Sequence, residues 1–399
     1  MKTGKFLKRF FGTMALCLML AVVLPQAAAL RAQAETKTTS TATVKNGWNG
    51  RKYYKNGVAL TGRRTIDGKV YYFDKNGRVV TGWKKINGKV YYFSRKSGVG
   101  NYGAACTGKK KINSRYYYFS QKGILKTGWK TIDGKRYYFR TSGKMGTTLG
   151  AALTKGVHTV DGAVYYFTGG GYVKTGWWYK TSDGEKYYYN SRGVRVTGIQ
   201  KISGNYYFFR SSGRLLTESK KIDGINYYLD SNGYLEAYSD GSVYYKPNGT
   251  KMTDLETEDY KTLLRARAVI AEVTTSNMTK AQKLKACFDW VISKPYKIRR
   301  KFSPADGWII TYANDHFIRG GGDCHADGSA FAYLAKALGY TEVYVCLDSN
   351  GITSQGHCWT EINGKVYDPL FSEAKNYSKY YGCSYSTYGL RAILHIKMS

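Results

Sequence analysis

A short unit is repeated in tandem between residues 46 and 250, and this repetition constrains the fold more than any other feature. One copy combines Thr81-Gly82-Trp83 with a turn at Asn87-Gly88 and an aromatic run at Tyr91-Tyr92-Phe93. Tyrosine pairs return about every twenty residues, at 53–54, 71–72, 91–92, 117–118, 137–138, 165–166, 187–188, 206–207, 227–228 and 244–245. Self-similarity at a nearly fixed period indicates a solenoid built by stacking one supersecondary unit.

Each unit has the pattern of a β-hairpin. Aromatic and polar residues alternate, and the units close on turn dipeptides such as Asn76-Gly77 and Asn232-Gly233. A single hairpin is marginally stable in water, so aromatic side chains must stack between neighbouring units. Alternation sends Tyr71 and Tyr72 to opposite faces of their strand, so one contact buries only one of them. The sequence therefore predicts an all-β hairpin solenoid over residues 46–250.

The second face of the array supplies candidate ligand-binding residues. Its aromatic rings would offer flat amphipathic surfaces for sugar rings or cationic head groups. The competing interpretation is that each ring only packs against the next unit. The candidates are Trp83, Tyr92, Trp129, Tyr138, Trp177 and Tyr188.

These units resemble the cell-wall-binding repeats of choline-binding proteins, glucan-binding proteins and clostridial toxin tails of Gram-positive bacteria. The resemblance implies a cell-wall polymer, a teichoic acid or a glucan as the partner. Choline-binding members usually have a second Trp just before the tyrosine pair. Here that position holds Val70, Val90, Arg136, Val164 or Lys186. The departure favours a carbohydrate or wall polymer over choline.

The amino-terminal residues 1–34 have the pattern of an export signal. A basic start precedes the apolar run from Met14 to Leu24, and Ala32-Gln33-Ala34 offers a small-residue cleavage site. The apolar run is too short to span a bilayer, and no later segment approaches that length, although an uncleaved anchor is the alternative. We therefore expect a secreted protein, associated with the wall of a Gram-positive bacterium, with a linker over residues 35–45.

The chain is strongly basic. Its formal net charge is +35, and removal of the five basic residues within positions 1–34 would leave +30. Such a charge favours association with anionic polymers, although basic side chains also keep an aromatic-rich surface soluble. No zinc-finger or RNP signature is present, so we expect surface polymers and no nucleic acid as partners.

After residue 250 the composition changes to that of a separate domain, residues 251–399. Leu255 to Val273 and Lys280 to Ile292 have helical apolar spacing, and Thr279 with Gln282 makes a capping box for the second helix. The Cys287 side chain falls on the apolar face of that helix, so we interpret it as a core residue.

Cys324 is the candidate nucleophile. Gly320-Gly321-Gly322 permits a tight turn, Asp323 is a candidate helix cap, and an apolar helix face follows as far as Gly339. A cysteine in the first helical turn gains thiolate character from the helix dipole. Asp323 opposes this effect, so a base is required.

His357 and Asp368 are the candidate base and its orienting carboxylate. The Asn363-Gly364 dipeptide predicts a two-residue hairpin in which Ile362 faces Lys365. Counting back along both strands, Thr360 faces Tyr367 and Trp359 faces Asp368. Alternation puts His357 on the face of Trp359, a diagonal neighbour of Asp368 at roughly 7 Å. Cys358 points to the other face and is a poor nucleophile candidate.

Three motifs of this domain resemble the transglutaminase-like superfamily, including its bacterial papain-like members. They are Gly322-Asp323-Cys324, His357-Cys358-Trp359 and Asp368-Pro369. The resemblance implies an α+β domain in which a helix bundle packs on an antiparallel sheet. It also implies Cys324 as nucleophile, His357 as general base and acid, Asp368 as orienter, a peptide or protein substrate, and no cofactor. The reaction would form a thioester from a peptide or side-chain amide, and water or an amine would then accept the acyl group.

Three alternatives remain. A peptidase of the NlpC/P60 type would also place Asp-Cys at a helix start. A zinc site formed by Cys324, His325, His357 and Cys358 has suitable residue types, but adjacent ligands are unusual in such sites. We therefore predict no metal site. A non-catalytic wall-binding adhesin or scaffold is the third alternative.

Overall fold

A computed structural model of the chain describes residues 46–96, 101–182, 184–349 and 356–398. The expected signal peptide (1–34) and linker (35–45) lie outside the described residues. The chain forms two compact units, which divide between Cys106 and Thr107.

The first unit consists of antiparallel hairpins. Its strands are β1 (Gly47–Asn49), β2 (Lys52–Lys55), β3 (Val58–Ala59), β4 (Gly62–Ile66), β5 (Lys69–Phe73), β6 (Gly82–Ile86) and β7 (Lys89–Phe93). Strands β4 and β5 form one hairpin and β6 and β7 another, while β2 lies between β1 and β3. Positive φ angles at Asn87 (46°) and Gly88 (74°) form the turn between β6 and β7.

Two tyrosine pairs of this unit divide as alternation predicts. In β5, Tyr71 and Phe73 are buried while Tyr72 is half-buried, and β7 repeats this pattern with Tyr91, Tyr92 and Phe93. The buried rings pack against one another, since Tyr91 and Phe93 stack with their centroids 5.9 Å apart. The core of the array is therefore a row of aromatic side chains contributed one hairpin at a time.

The second unit begins with further hairpins of the same kind. Their strands are β8 (Gly108–Ile112), β9 (Arg115–Phe119), β10 (Leu125–Lys126), β11 (Gly128–Ile132), β12 (Lys135–Phe139), β13 (Gly156–Val160), β14 (Ala163–Phe167), β15 (Gly176–Lys180), β16 (Glu185–Tyr189), β17 (Gly198–Ile202), β18 (Asn205–Phe209), β19 (Lys220–Ile222), β20 (Ile225–Leu229), β21 (Leu235–Ser239) and β22 (Tyr244–Tyr245).

Main-chain hydrogen bonds connect successive hairpins. The segment after one hairpin donates to the hairpin before it, as in the bonds from Val173 N to Arg136 O and from Arg195 N to Val164 O, of 2.9 and 2.8 Å. In a lone hairpin, these backbone N–H and C=O groups would be exposed to solvent. Stacking of the hairpins pairs the groups with one another, so the repeat is stable only as an array. The hairpin solenoid predicted from the sequence is confirmed.

The remainder of the second unit is an α+β region. Its helices are α1 (Asp254–Val273), α2 (Lys280–Ile292), α3 (Trp308–Arg319), α4 (Cys324–Ala337), α5 (Pro369–Ala374) and α6 (Tyr377–Tyr380). Its strands are β23 (Val343–Leu347), β24 (Cys358–Ile362), β25 (Lys365–Tyr367), β26 (Tyr381–Cys383) and β27 (Leu394–Lys397). They pair antiparallel in the order β26-β25-β24-β23-β27.

Helix α4 is the central element of this region. The sequence predicted one apolar face, but the structure buries every residue from Cys324 to Ala335, polar His325, Asp327 and Ser329 included. The reason is that α4 packs on α1, α2 and α3 and also on β23 and β24. Gly328 permits the close approach to β24, because a Cβ there would lie 3.1 Å from the Cys358 Sγ atom.

Two sequence predictions of local structure are confirmed and one is corrected. Thr279 and Gln282 form the predicted capping box of α2. The turn at Asn363-Gly364 has positive φ at both residues, and Thr360 pairs with Tyr367 as predicted. The strand predicted from Tyr340 begins only at Val343. The Tyr340 N–H instead donates a hydrogen bond to the Ala335 carbonyl near the end of α4.

The last hairpins join the α+β region directly. Arg267 of α1 donates two hydrogen bonds, of 2.7 and 2.9 Å, to the Glu236 carboxylate on β21, and Tyr260 adds a third of 3.2 Å. Ala237 belongs to the same buried apolar cluster as the four long helices. In the described ranges, no helix is both long enough and apolar enough to span a bilayer.

Candidate functional site

Cys324 is the first residue of α4. The Asp323 carboxylate caps the helix by accepting from the His325 and Ala326 amides at 3.0 and 3.1 Å, as the sequence predicted. This cap does not use the N–H of Cys324. Cys324 is 8% exposed, and its thiol lies 3.6 Å from Nδ1 of His325.

The glycine loop before Cys324 is held from outside by the segment after α2. Lys297 N donates to the Gly322 carbonyl at 2.7 Å, and the Arg299 side chain donates to the Gly321 carbonyl at 2.8 Å. Gly321 has a φ of 114°, and a Cβ there would lie 2.3 Å from the Pro295 carbonyl oxygen. Only glycine fits this position, so the loop fixes the entry into α4.

His357 and Asp368 are in direct contact. The His357 Nε2 atom lies 2.7 Å from Asp368 Oδ2, and the imidazole stacks on Phe371 with their centroids 4.2 Å apart. Asp368 is fully buried, and its Oδ2 atom accepts a hydrogen bond from the Nε2–H of His357. Nδ1 then carries the lone pair, which is the arrangement that a general base requires. The hairpin register predicted this contact from the sequence.

Asp368 has two further partners. The Tyr388 hydroxyl donates to Oδ2 at 2.7 Å, and the Phe371 amide donates to Oδ1 at 3.0 Å, which makes Asp368 the cap of α5. This cap was not predicted, although Pro369 at the first helical position is a signal for it. Tyr388 was missed, because it lies twenty positions further along the chain in a segment without regular periodicity.

Burial dominates the electrostatics of the thiol. It raises the pKa of Cys324 to about 12, and nearby Asp323 and Asp327 act in the same direction, while the Cys358 N–H lowers it. The sequence predicted the opposing effects of the helix dipole and Asp323 but not the larger effect of desolvation. The resting thiol is therefore protonated near neutral pH and depends on a base for nucleophilic attack.

The other histidines near the thiol lie in the core. His325 stacks on Phe302 at 4.3 Å, and His316 is fully buried with Nδ1 2.9 Å from Asp327 Oδ1. The four residues of the alternative zinc site do not gather three ligand atoms within metal-binding distance in the described part of the chain. Cys358 also lies on the α4 side of β24, against Gly328.

The aromatic candidates of the array form three equivalent cross-strand pairs. Each tryptophan meets its tyrosine edge to face with centroids 5.0 to 5.2 Å apart. The pairs are Trp83 with Tyr92, Trp129 with Tyr138, and Trp177 with Tyr188. Their surroundings differ, and this difference decides which rings a ligand can reach.

Trp129 is covered by the protein itself. The Arg136 guanidinium lies over its indole at 3.7 Å from the centroid and donates to the Arg192 carbonyl at 2.7 Å. Tyr165 of the next hairpin packs at 4.8 Å, and the indole N–H donates to Asp161 at 3.3 Å. An internal cation therefore occupies the position over this ring that an external cation would take.

Trp177 is open to solvent. Its side chain is 40% exposed, and it lines a cleft of about 570 Å³ with Lys186, Tyr207 and Tyr234. Tyr207 contacts Trp177 at 5.1 Å and Tyr234 at 5.4 Å, so the three rings form one aromatic wall. The size and the mixed aromatic and polar lining suit a sugar ring or an ammonium group. This cleft lies on the repeats and is separate from Cys324.

Comparison with known families identifies the repeats. Residues 60–99 and 106–148 match the choline-binding repeat, and residues 198–215 and 220–235 match the putative cell wall binding repeat. The repeat class predicted from the sequence is confirmed.

Several solved structures are similar to the array. Choline binding protein F of Streptococcus pneumoniae is 26% identical over 51% of this chain and 75% of its own, with a TM-score of 0.39. The same protein in the presence of a peptidoglycan analogue gives 27% identity, the same coverage and the same TM-score. The choline-binding domain of CbpL from S. pneumoniae is 22% identical over 49% of this chain and 98% of its own, with a TM-score of 0.33. A comparison with curated proteins gave no significant match.

Proposed function

We propose that this protein is a secreted, wall-targeted thiol enzyme of transglutaminase-like type that acts on peptide or side-chain amide bonds. The observation that carries the proposal is the contact of 2.7 Å between His357 and the fully buried Asp368, in the same α+β region as a cysteine at the start of α4. The charge of Asp368 also acts on the thiol, since it contributes to the raised pKa of Cys324.

The proposed reaction begins with transfer of the Cys324 proton to His357 Nδ1 as the sulfur attacks the amide carbonyl carbon. The negative charge that develops on the carbonyl oxygen is stabilised by backbone donors, of which the uncapped N–H of Cys324 is one. His357 returns the proton to the departing amine, and a thioester remains on Cys324. Water or a second amine attacks the thioester, which gives hydrolysis or acyl transfer.

Alkylation of the full chain tests the thiol. Iodoacetamide labelling followed by peptide mass spectrometry should modify Cys324 faster than the buried core thiol Cys287, and His357→Ala should abolish the difference. Equal slow labelling of both cysteines would refute an activated thiol. Mass spectrometry of wall peptides incubated with and without an added amine would then distinguish hydrolysis from acyl transfer.

A non-catalytic wall-binding scaffold is the second candidate. The burial of Cys324 favours it, because desolvation raises the pKa of this thiol to about 12. Wall binding with no change in Cys324 labelling upon His357→Ala would support the scaffold over the enzyme.

For the repeats we propose a wall polymer, a teichoic acid or a glucan, as the ligand, held at the Trp177 cleft. Its exposed indole supplies a stacking surface, and the +35 net charge of the chain favours an anionic polymer. Sedimentation of the protein with purified Gram-positive walls should decrease upon Trp177→Ala and remain unchanged upon Trp129→Ala, since Arg136 already covers Trp129. An equal loss in both variants would refute this assignment.

A further inference from the structure

Three side chains of metal-ligating type, none of them in the proposed thiol centre, meet on the sheet of the α+β region. Cys346 lies on β23, Glu361 on β24 and His395 on β27. Cys346 pairs directly with His395, and Glu361 pairs with Tyr344, two residues before Cys346. Because residues two apart share a face, all three side chains project from one side of the sheet.

The ligand atoms are close enough to share one ion. The Cys346 Sγ, a Glu361 carboxylate oxygen and a His395 ring nitrogen all lie within 4.8 Å of one another. The shortest of these separations is 3.0 Å, between His395 Nε2 and Glu361 Oε2. In the described ranges, no other group of three such residues meets this criterion.

Neighbouring side chains hold these three residues in place, and solvent reaches them on the side of His395. Cys346 is fully buried and Glu361 is buried, whereas the His395 side chain is 42% exposed. The His395 ring is fixed by stacking on Tyr344, with centroids 4.1 Å apart and ring planes within 8°. The Tyr385 hydroxyl lies 3.9 Å from the Cys346 sulfur and accepts from the Trp359 indole at 3.2 Å.

We propose that Cys346, Glu361 and His395 form a zinc site. A thiolate, an imidazole and a carboxylate together suit Zn²⁺, whereas Mg²⁺ and Ca²⁺ prefer oxygen ligands throughout. Coordination forms an S–Zn bond at Cys346 and releases the thiol proton to solvent. Three protein ligands leave a fourth position for water or an external ligand. The ion connects β23, β24 and β27, so its binding stabilises the fold.

Cobalt titration of the metal-free full chain tests this site. Co²⁺ should bind at one equivalent with a sulfur-to-cobalt charge-transfer band, and Zn²⁺ should displace it and raise the melting temperature. Cys346→Ser should remove the band, whereas Cys383→Ser, a cysteine on β26 of the same sheet, should retain it. The band should also survive Cys324→Ser, which separates this site from the proposed thiol centre.

His395→Gln keeps the proposal testable if Cys346→Ser unfolds the domain, because His395 is half exposed and its replacement leaves the core intact. This variant should bind Co²⁺ far more weakly while its circular dichroism spectrum is unchanged. The assignment is overturned if wild-type protein shows no charge-transfer band, if the band persists in Cys346→Ser, or if His395→Gln binds as tightly as the wild type.

Discussion

Replacement of Asp368 by Asn tests the link between the buried carboxylate and the reactivity of Cys324. Oδ2 accepts from both His357 and Tyr388, and Oδ1 accepts from the Phe371 amide. A carboxamide has only one acceptor oxygen, so no orientation retains all three bonds. With its oxygen toward Phe371, the NH₂ group faces His357 and forces Nε2 to accept. The proton then moves to Nδ1, which removes the lone pair that the reaction needs.

In the opposite orientation, the oxygen retains the His357 bond, but the NH₂ group faces the Phe371 N–H and the cap of α5 is lost. Either way one or more charge-assisted hydrogen bonds disappear, each of which contributes about 1.5–3 kcal/mol. Applied to the His357 pair, that loss corresponds to about a ten- to hundredfold decrease in the alkylation rate of Cys324. The rate is measured by mass spectrometry at pH 7, and the free energy of unfolding by urea denaturation.

Tyr388→Phe is the matched control. It removes one donor to the same oxygen but leaves the carboxylate charge and the Nε2–H bond, so the imidazole tautomer is retained. We expect a loss of unfolding free energy of about 1.5–3 kcal/mol with a much smaller effect on labelling. If Asp368→Asn destabilises the protein and yet labels at the wild-type rate, Asp368 is only a helix cap and the reasoning is wrong.

Three further predictions follow from burial and packing. In His357→Ala, the labelling rate of Cys324 should rise about tenfold per pH unit through the neutral range, since burial raises the pKa of this thiol to about 12 and the thiolate fraction grows with pH; wild-type protein should label faster and with a shallower dependence on pH, and identical profiles would exclude His357 as the base. Gly328→Ala should lower the free energy of unfolding in urea, because overpacking of about 1–3 kcal/mol exceeds the gain of about 1 kcal/mol in helix propensity; an unchanged midpoint would show that the helix is not held against the sheet. Arg136→Ala should expose Trp129 and increase the fraction of protein that sediments with purified Gram-positive walls; unchanged sedimentation would refute the internal-cation interpretation.

Two neighbouring positions supply controls for these variants. Ser329 is buried beside Gly328, and its hydroxyl has no hydrogen-bond partner among the described residues, so Ser329→Ala should leave stability unchanged or raise it. Arg192 is exposed and contributes only its carbonyl to Arg136, so Arg192→Ala removes the same charge without uncovering Trp129.

Features that depend on local chemistry could be predicted from the sequence. Asn363-Gly364 specifies a tight hairpin turn, and the alternation of strand residues then places His357 beside Asp368. The same two rules predicted the solenoid and the division of tyrosine pairs such as Tyr71-Tyr72 and Tyr91-Tyr92 between a buried and a half-buried position. Caps at Asp323 and Thr279 were also predictable, because a side chain there bonds to amides within three residues.

The environment of these residues could not be predicted in the same way. Three contacts depend on how separate elements pack. They are the burial of Cys324, the hydrogen bond from Tyr388 to Asp368, and the position of the Arg136 guanidinium over Trp129. Such contacts are not encoded in the spacing of residues along one strand or helix. They follow from close packing and desolvation, which are properties of the whole core.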